Sequence, residues 1–210
     1  MKRCVIIGSA PIENDGWLQK NIRAGDYVIC ADGGYHAAKR TGVVPRLLVG
    51  DFDSYRGELP QDIEIIRLPV EKDDTDMMFC VKEGIRRGYD AFLLLGGLGG
   101  RLDHTIANLS ALLYLAKRGM TAVLSDEQNE AVMALDGEFV IENRKGELMS
   151  LFPFGGEDCC VSYEGLMYPL SKATLHSDFP LGVSNCVLTD RAVVHIHKGP
   201  VLLLFSKDKV

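Results

Sequence analysis

Aspartate stands just beyond four successive strand-like segments of this 210-residue chain. Asp32-Gly33-Gly34 follows Tyr27 to Ala31, and Gly50-Asp51-Phe52-Asp53-Ser54 follows Leu47 to Val49. Lys72-Asp73-Asp74-Thr75-Asp76 comes after Glu64 to Arg67, and Gly96-Gly97-Leu98-Gly99-Gly100-Arg101-Leu102-Asp103 after Ala91 to Leu95. Helix capping accounts for Asp103 and for one of Asp73 and Asp74, because a carboxylate before a helix accepts its free N–H groups. It requires neither Asp51 and Asp53 together nor Asp76 inside a first turn. Like charges gathered on one sheet edge repel unless a cation sits among them, and short carboxylates are hard oxygen donors of the kind Mg²⁺ takes. Glycines in the same loops let a ligand approach the backbone, while Lys72 and Arg101 set cations beside the acids. That mixture suits phosphate. The run Gly96 to Gly100 is neither a dinucleotide fingerprint nor a Walker A loop. With Arg101, Asp103 and the helix start that follows, it forms a candidate cradle for a nucleotide's phosphates.

Placing these loops on one edge is the work of the elements between them. Up to about Asp126, short β-branched runs alternate with helix-period segments, the pattern of a parallel sheet covered by helices. Six strands are predicted: Arg3 to Ile7, Tyr27 to Ala31, Leu47 to Val49, Glu64 to Arg67, Ala91 to Leu95 and Thr121 to Leu124. Two clear helices are predicted, Thr75 to Arg87 with Met77, Met78, Val81 and Ile85 on its apolar face, and His104 to Arg118 with Ile106, Leu109, Leu113 and Ala116. Weaker helical patterns run from Trp17 to Arg23 and from Tyr35 to Arg40. After Asp126 the helices stop and short strands separated by Gly, Pro, Asn and Asp take over: Glu130 to Ala134, Glu138 to Glu142, Glu147 to Phe152, Asp158 to Glu164, Val183 to Leu188, Ala192 to His197 and Val201 to Phe205. The expectation is an α/β fold: an N-terminal parallel-sheet α/β domain over 1–127, followed by a smaller all-β sandwich domain over 128–210.

Composition narrows the function. Lysine and arginine total 23 against 29 aspartate and glutamate, a net charge of −6, which argues against a nucleic-acid surface and against adhesion to anionic membranes. The longest apolar runs, Ala91 to Leu95 and Val201 to Phe205, are far short of the roughly 20 residues that cross a bilayer. The apolar run Cys4 to Ile7 is too short for a secretory signal, so a cytoplasmic protein is expected. Six cysteines without C-x-x-C or zinc-ligand spacing read as reduced and mostly buried. His195 and His197 alternate on one strand, where an exposed or interface face explains them better than a metal site. His104 divides evenly between a helix-start hydrogen bond and a substrate-side role, and Met77, Met78 and Phe79 read as core.

Taken in order, Cys30-Ala31-Asp32-Gly33-Gly34, Gly50-Asp51-Phe52-Asp53-Ser54, Asp73-Asp74-Thr75-Asp76 and Gly96-Gly97-Leu98-Gly99-Gly100-Arg101-Leu102-Asp103-His104 resemble the thiamine pyrophosphokinase (thiamine diphosphokinase) family. The likeness continues at Gly165-Leu166-Met167-Tyr168-Pro169-Leu170 and Gly182-Val183-Ser184-Asn185. The resemblance implies transfer of a pyrophosphoryl group from ATP to the hydroxyl of thiamine, giving AMP and thiamine diphosphate with Mg²⁺, in a homodimer. It also implies that thiamine sits between the α/β domain and the β-sandwich of a partner subunit. Carried over, it makes Asp51, Asp53 and Asp76 the metal and phosphate-organising acids, with Asp32, Gly33, Asp73, Thr75 and Gly97 on the nucleotide side. Arg101 would steady the transferring phosphates and Asp103 would fix Arg101 or the nucleophile. Asp76, Ser184 and Asn185 would face thiamine. Cys186 and Val187 follow Ser184-Asn185 where many relatives carry an aromatic residue, which leaves Tyr168 or Phe179 as the stacking candidates. Asp51 and Asp103 are candidates to take the alcohol proton.

Other readings share some of these features. Asp51-Phe52-Asp53-Ser54 could be an aspartyl nucleophile pair of a metal-dependent phosphohydrolase, but such a pair is expected after the first strand. The remaining possibilities are a nucleotide-sugar transferase using Asp51 and Asp53 for metal, a nucleotide sensor without transfer, and a pyrophosphokinase acting on another heterocyclic alcohol such as a pterin.

Overall fold

Near-continuous apolar runs dictate strands buried on both faces, and that is how the first half of the chain folds. The computed structural model describes residues 2–52, 58–69, 73–156 and 158–207. Strands β1 (Arg3–Ile7), β2 (Tyr27–Ala31), β3 (Leu47–Gly50), β4 (Glu64–Arg67), β5 (Ala91–Leu95) and β6 (Thr121–Ser125) pair in parallel in the order β6-β5-β1-β2-β3-β4. In β1, β2, β3 and β5 nearly every residue is buried, whereas β4 exposes Glu64 and Arg67 at the sheet edge, where charge discourages pairing with another chain. The connecting helices are α1 (Asp15–Asn21), α2 (Gly34–Thr41), α3 (Asp76–Arg86) and α4 (Leu102–Ala116). The chain winds outward from β1 to β4, and α3 then carries it back to β5 on the other side of β1. Winding therefore reverses between β1 and β5, and loops at the carboxyl ends diverge at such a point to leave a crevice.

Two predicted helix faces differ from the observed ones, that of α3 in part, since Met77 and Val81 are buried as expected, and that of α4 throughout. Helix α3 buries Met77, Cys80, Val81, Glu83 and Gly84, leaving Met78 and Ile85 half-buried. Helix α4 buries Asn108, Ala111, Leu112 and Leu115, while Ile106 is 52% exposed. Both helices carry apolar side chains on more than one face, so periodicity fixes the element without fixing its rotation. In α3 the small residues Cys80 and Gly84 are buried, and a Cβ on Gly84 would meet Phe92 and Cys4 of the sheet.

The chain divides into two compact units, Met1–Ala111 with Met120–Glu127, and Leu112–Gly119 with Gln128–Val210. The end of α4 thus groups with the second unit and not with residues 1–127. That unit is all-antiparallel in its strands: β7 (Asn129–Ala134), β8 (Gly137–Glu142), β9 (Leu148–Pro153), β10 (Cys159–Glu164), β11 (Ala173–Leu175), β12 (Asn185–Cys186), β13 (Arg191–Lys198) and β14 (Val201–Ser206). They form two layers, β12-β9-β14-β7 and β11-β10-β13-β8. Alternate residues from both layers, among them Ile141, Leu151, Val161, Val194 and Leu203, make its core, the arrangement of a sandwich. β11 was not predicted, because three residues are too few to show alternation. The predicted strand Val183 to Leu188 contracts to Asn185–Cys186, since Ser184 sits at φ +56° and cannot continue a strand.

Candidate active site

The crevice at the winding reversal is a cleft of about 280 Å³, lined by the loop after β1 (Gly8 to Pro11), Ala31 and Asp32 after β2, Thr75 and Asp76 at the start of α3, and Gly96, Gly97, Gly99, Gly100 and Arg101 after β5. His104 and Asn108, one turn apart on α4, complete the wall. Of the residues predicted from sequence, Asp32, Thr75, Asp76, Gly97 and Arg101 therefore meet in one place. Gly33 lies beside Ser9 of the same wall. Gly34 admits the start of α2: a Cβ there would sit 2.0 Å from the Ile7 carbonyl oxygen. Asp51 follows β3 next to Asp32, since a Cβ on Gly50 would come 3.1 Å from the Asp32 Cα. Asp53, Ser54 and Lys72 lie outside the described residues.

Thr75 is the N-cap of α3. Its Oγ1 accepts from the Met78 N–H at 3.1 Å, which leaves the hydroxyl hydrogen free to donate toward the cleft. The expected cap, Asp73 or Asp74, is thus replaced: Asp73 is exposed and Asp74 pairs with Lys82 at 2.7 Å. Asp103 is not a cap outside the helix but a first-turn residue of α4. Arg101 donates Nε to Asp103 Oδ1 at 3.1 Å and Nη2 to Oδ2 at 2.6 Å, a two-pronged pair. That guanidinium, helped by the His104 backbone N–H, holds the Asp103 carboxyl below the usual carboxylate range. Both side chains are exposed, so the pair holds Arg101 in shape without adding to stability.

Phosphate donors are plentiful here. No backbone hydrogen bond among the described residues uses the N–H groups of Gly97 to Gly100, and α3 and α4 both begin at the cleft. No cysteine is among the residues that line the cleft, and burial pushes the thiols of Cys4, Cys30 and Cys80 well above the usual range. Among the described residues no three His, Cys, Asp or Glu side chains gather as a metal-binding group. A phosphate-bound Mg²⁺ needs only one or two protein carboxylates, and Asp32 and Asp76 of the cleft are donors of that kind, so the residues fit the ion. His195 is bound instead to Glu138 at 3.3 Å and Glu164 at 3.0 Å, and His197 to Ser162 at 2.8 Å, as a solvent-side strand face.

In the second unit, Asn185 is buried and its amide is occupied by the chain itself: Oδ1 accepts from the Tyr168 N–H at 3.0 Å and Nδ2 donates to the Tyr168 carbonyl at 2.9 Å. The exposed Tyr168 ring is thereby held at its backbone. Ser184 donates its N–H to Ser150 Oγ at 3.0 Å.

Two family profiles match this chain in sequence order. Residues 18–124 match "Thiamin pyrophosphokinase, catalytic domain" and residues 138–200 match "Thiamin pyrophosphokinase, vitamin B1 binding domain". The chain belongs to the thiamine pyrophosphokinase family. A relative named thiamine pyrophosphokinase from Bacillus subtilis is 28% identical over 173 residues, covering 80% of this chain and 81% of the relative. Thiamin pyrophosphokinase 1 from Caenorhabditis elegans is 23% identical over 216 residues, covering 97% of this chain and 87% of the relative. A crystal structure of thiamine pyrophosphokinase from Bacillus subtilis superposes with a TM-score of 0.88 at 25% identity, covering 99% of this chain and all of the other. Within this thiamine pyrophosphokinase family member, Asp32, Asp51, Asp76, Arg101 and Asp103 fall in the catalytic-domain match, and Ser184 and Asn185 in the vitamin-binding match. His104, which the sequence left divided between a helix-start hydrogen bond and a substrate-side role, lines the cleft, and Asn108 beside it was missed as a site residue.

Proposed function

We propose that the cleft beside β1 and β5 holds ATP, with its phosphates against the Gly97 to Gly100 loop, Arg101 and the Thr75 hydroxyl. The chain is a thiamine diphosphokinase, an ATP-dependent transferase. The thiamine hydroxyl oxygen forms a bond to the β-phosphorus as the bond from that phosphorus to the α,β-bridging oxygen breaks, releasing AMP. The observation that carries the reading is the meeting of Asp32, Thr75, Asp76, Gly97 and Arg101, from separate strand ends, in one cleft.

Attack on the β- and not the γ-phosphorus requires phosphates held in line, which is a task of positioning and charge. With Nε and Nη2 engaged by Asp103, which keeps the guanidinium plane fixed, Arg101 has the N–H groups of Nη1 left for phosphate oxygens. Asp51 or Asp103 accepts the alcohol proton. Asp51, Asp53 and Asp76 would hold Mg²⁺, which supplies charge neutralisation to the transferring phosphates and the AMP leaving group. Asp32, Gly33 and Asp73 flank the nucleotide. On this reading residues 1–127 carry nucleotide chemistry and residues 128–210 carry the thiamine contacts Ser184 and Asn185 and the contacts of a homodimer, with Tyr168 the exposed ring beside them. Large apolar side chains exposed at Met167, Phe179, Leu181 and Val183 support the dimer. Six free cysteines fit the reducing cytoplasm, and among the described residues no helix is long and apolar enough to cross a membrane.

A vitamin B1 binding match over residues 138–200 disfavours a pterin-like acceptor and a phosphohydrolase. Incubation with Mg-ATP and thiamine tests the assignment: AMP and thiamine diphosphate should accumulate one for one. ADP as the nucleotide product, or AMP without thiamine diphosphate, would overturn it.

A further inference from the structure

Helix α4 buries a stripe of Asn108, Ala111, Leu112 and Leu115, three apolar residues and one amide. An amide in such a setting is unfavourable unless its hydrogen bonds are made. Asn108, 6% exposed, makes one: Nδ2 donates to the Gly97 carbonyl at 2.7 Å. Asn108 and Gly97 both line the cleft. A Cβ at residue 97 would come 2.7 Å from Leu124 Cδ1 and 3.1 Å from Asn108 Nδ2, so a side chain there would displace the ends of both.

The loop is anchored at its ends, where the Gly96 carbonyl accepts from the Ala10 N–H at 2.9 Å and the Arg101 carbonyl from the Thr105 N–H at 3.2 Å, and between those ends the Asn108 bond holds it. Gly96, Gly99 and Gly100 take φ of +60°, +78° and +65°, conformations that glycine enters and leaves freely. No backbone hydrogen bond among the described residues engages the N–H groups from Gly97 to Gly100. In a trans peptide the N–H lies antiparallel to the C=O, so fixing the Gly97 carbonyl fixes the direction of the Leu98 N–H too. Donors aimed in advance stabilise developing charge far more than donors that must reorient.

We propose that Asn108 is a positioning residue for pyrophosphoryl transfer, acting through the Gly97 carbonyl to hold the glycine loop in its phosphate-binding form. The inference rests on the assignment of the cleft to ATP. Its test compares Asn108→Leu, which removes the donor, and Asn108→Asp, which keeps size and shape and decides the matter should the leucine variant fail to fold. In either variant kcat/KM for ATP should fall about tenfold to a hundredfold, while KM for thiamine stays within about twofold of the parent. A role confined to packing would lower the melting temperature and leave the ATP parameters unchanged, and that result overturns the proposal. Arg101→Gln, measured in parallel, separates the two assumptions. If it weakens ATP use while the folded Asn108 variants do not, the Asn108 role alone fails. If ATP use is unaffected in all three, the nucleotide reading of the cleft fails with it.

Discussion

Arg101 illustrates how a single side chain can matter to reaction and not to folding. Its side chain is 74% exposed and that of its partner Asp103 is 63% exposed, so solvent screens the pair and its loss changes stability little. What the pair fixes is orientation, because both prongs of the fork are used. Lysine keeps the charge but is a point donor on a flexible stem. Arg101→Lys should therefore lower kcat/KM for ATP by about tenfold or more while the melting temperature moves by no more than about a degree. A variant with unaltered ATP kinetics would remove Arg101 from the machinery. Because Arg101 holds Asp103 below the usual carboxylate range, the pair persists above the ordinary carboxylate pKa and is lost only as pH falls through the depressed value. Arg101 was legible in the sequence as a cation beside glycines and an acid. Asn108 was not, since an asparagine inside an amphipathic helix has no sequence mark that tells a buried clamp from a solvated side chain.

At the scale of elements, α3 couples the cleft to the far end of the sheet. Thr75 caps it at the cleft, and its other end is tied by Glu83, which is 6% exposed and accepts from Arg86 and Arg87 at 2.6 to 2.7 Å. Arg87 continues to Glu64 of β4 and to the Tyr27 hydroxyl of β2, crossing the Tyr27 ring. Hydrogen bonds from Arg86 hold the Glu83 carboxyl low, and those from Arg87 hold Glu64 low. Depressed carboxylates contribute stability that is present above their unfolded pKa, about 4.3, and lost as pH falls through the folded value. Glu83→Gln should lower stability by about 2 kcal/mol at pH 7, less than a fully buried pair because Arg87 is partly exposed. It should also flatten the loss of stability below about pH 4.3. Thermal melts from pH 7 to pH 3 measure both, and a variant with the parent's acid limb would show that the network is not coupled to folding. Much of this element was readable in advance: the span Thr75 to Arg87 brackets Asp76–Arg86. Its rotation was not, because Met78 and Ile85 are as apolar as Cys80 and Gly84 and only the sheet decides which face it takes. Likewise threonine outcompeted two aspartates for the cap, a choice made by backbone position and not by residue preference.

For the molecule as a whole, the two units have separate cores, one around Val5, Ile7, Val28 and Leu48, the other around Val161, Val194 and Leu203. Apart from β11 and the extent of β12, strand placement in both was legible, since buried parallel strands read as apolar runs and sandwich strands as alternation. What one chain's sequence cannot encode locally is which exposed apolar side chains are later covered. In the second unit Phe179 and Tyr168 are 62% and 64% exposed, and Leu181 and Val183 about half. Scattered exposed apolar residues need no partner, but Phe179, Leu181 and Val183 stand within one short stretch of chain, the kind of grouping that marks an interaction surface. If a second copy covers them, as the homodimer reading requires, a charge placed there must be buried unpaired and should break the dimer without touching either core. Leu181→Asp should convert a two-chain species into a one-chain species by sedimentation. Its circular dichroism should match the parent, and thiamine diphosphate formation should fall at least tenfold, since the resemblance sets thiamine against a partner's sandwich. A parent that sediments as one chain, or a one-chain variant with full activity, would show that thiamine is bound within a single subunit.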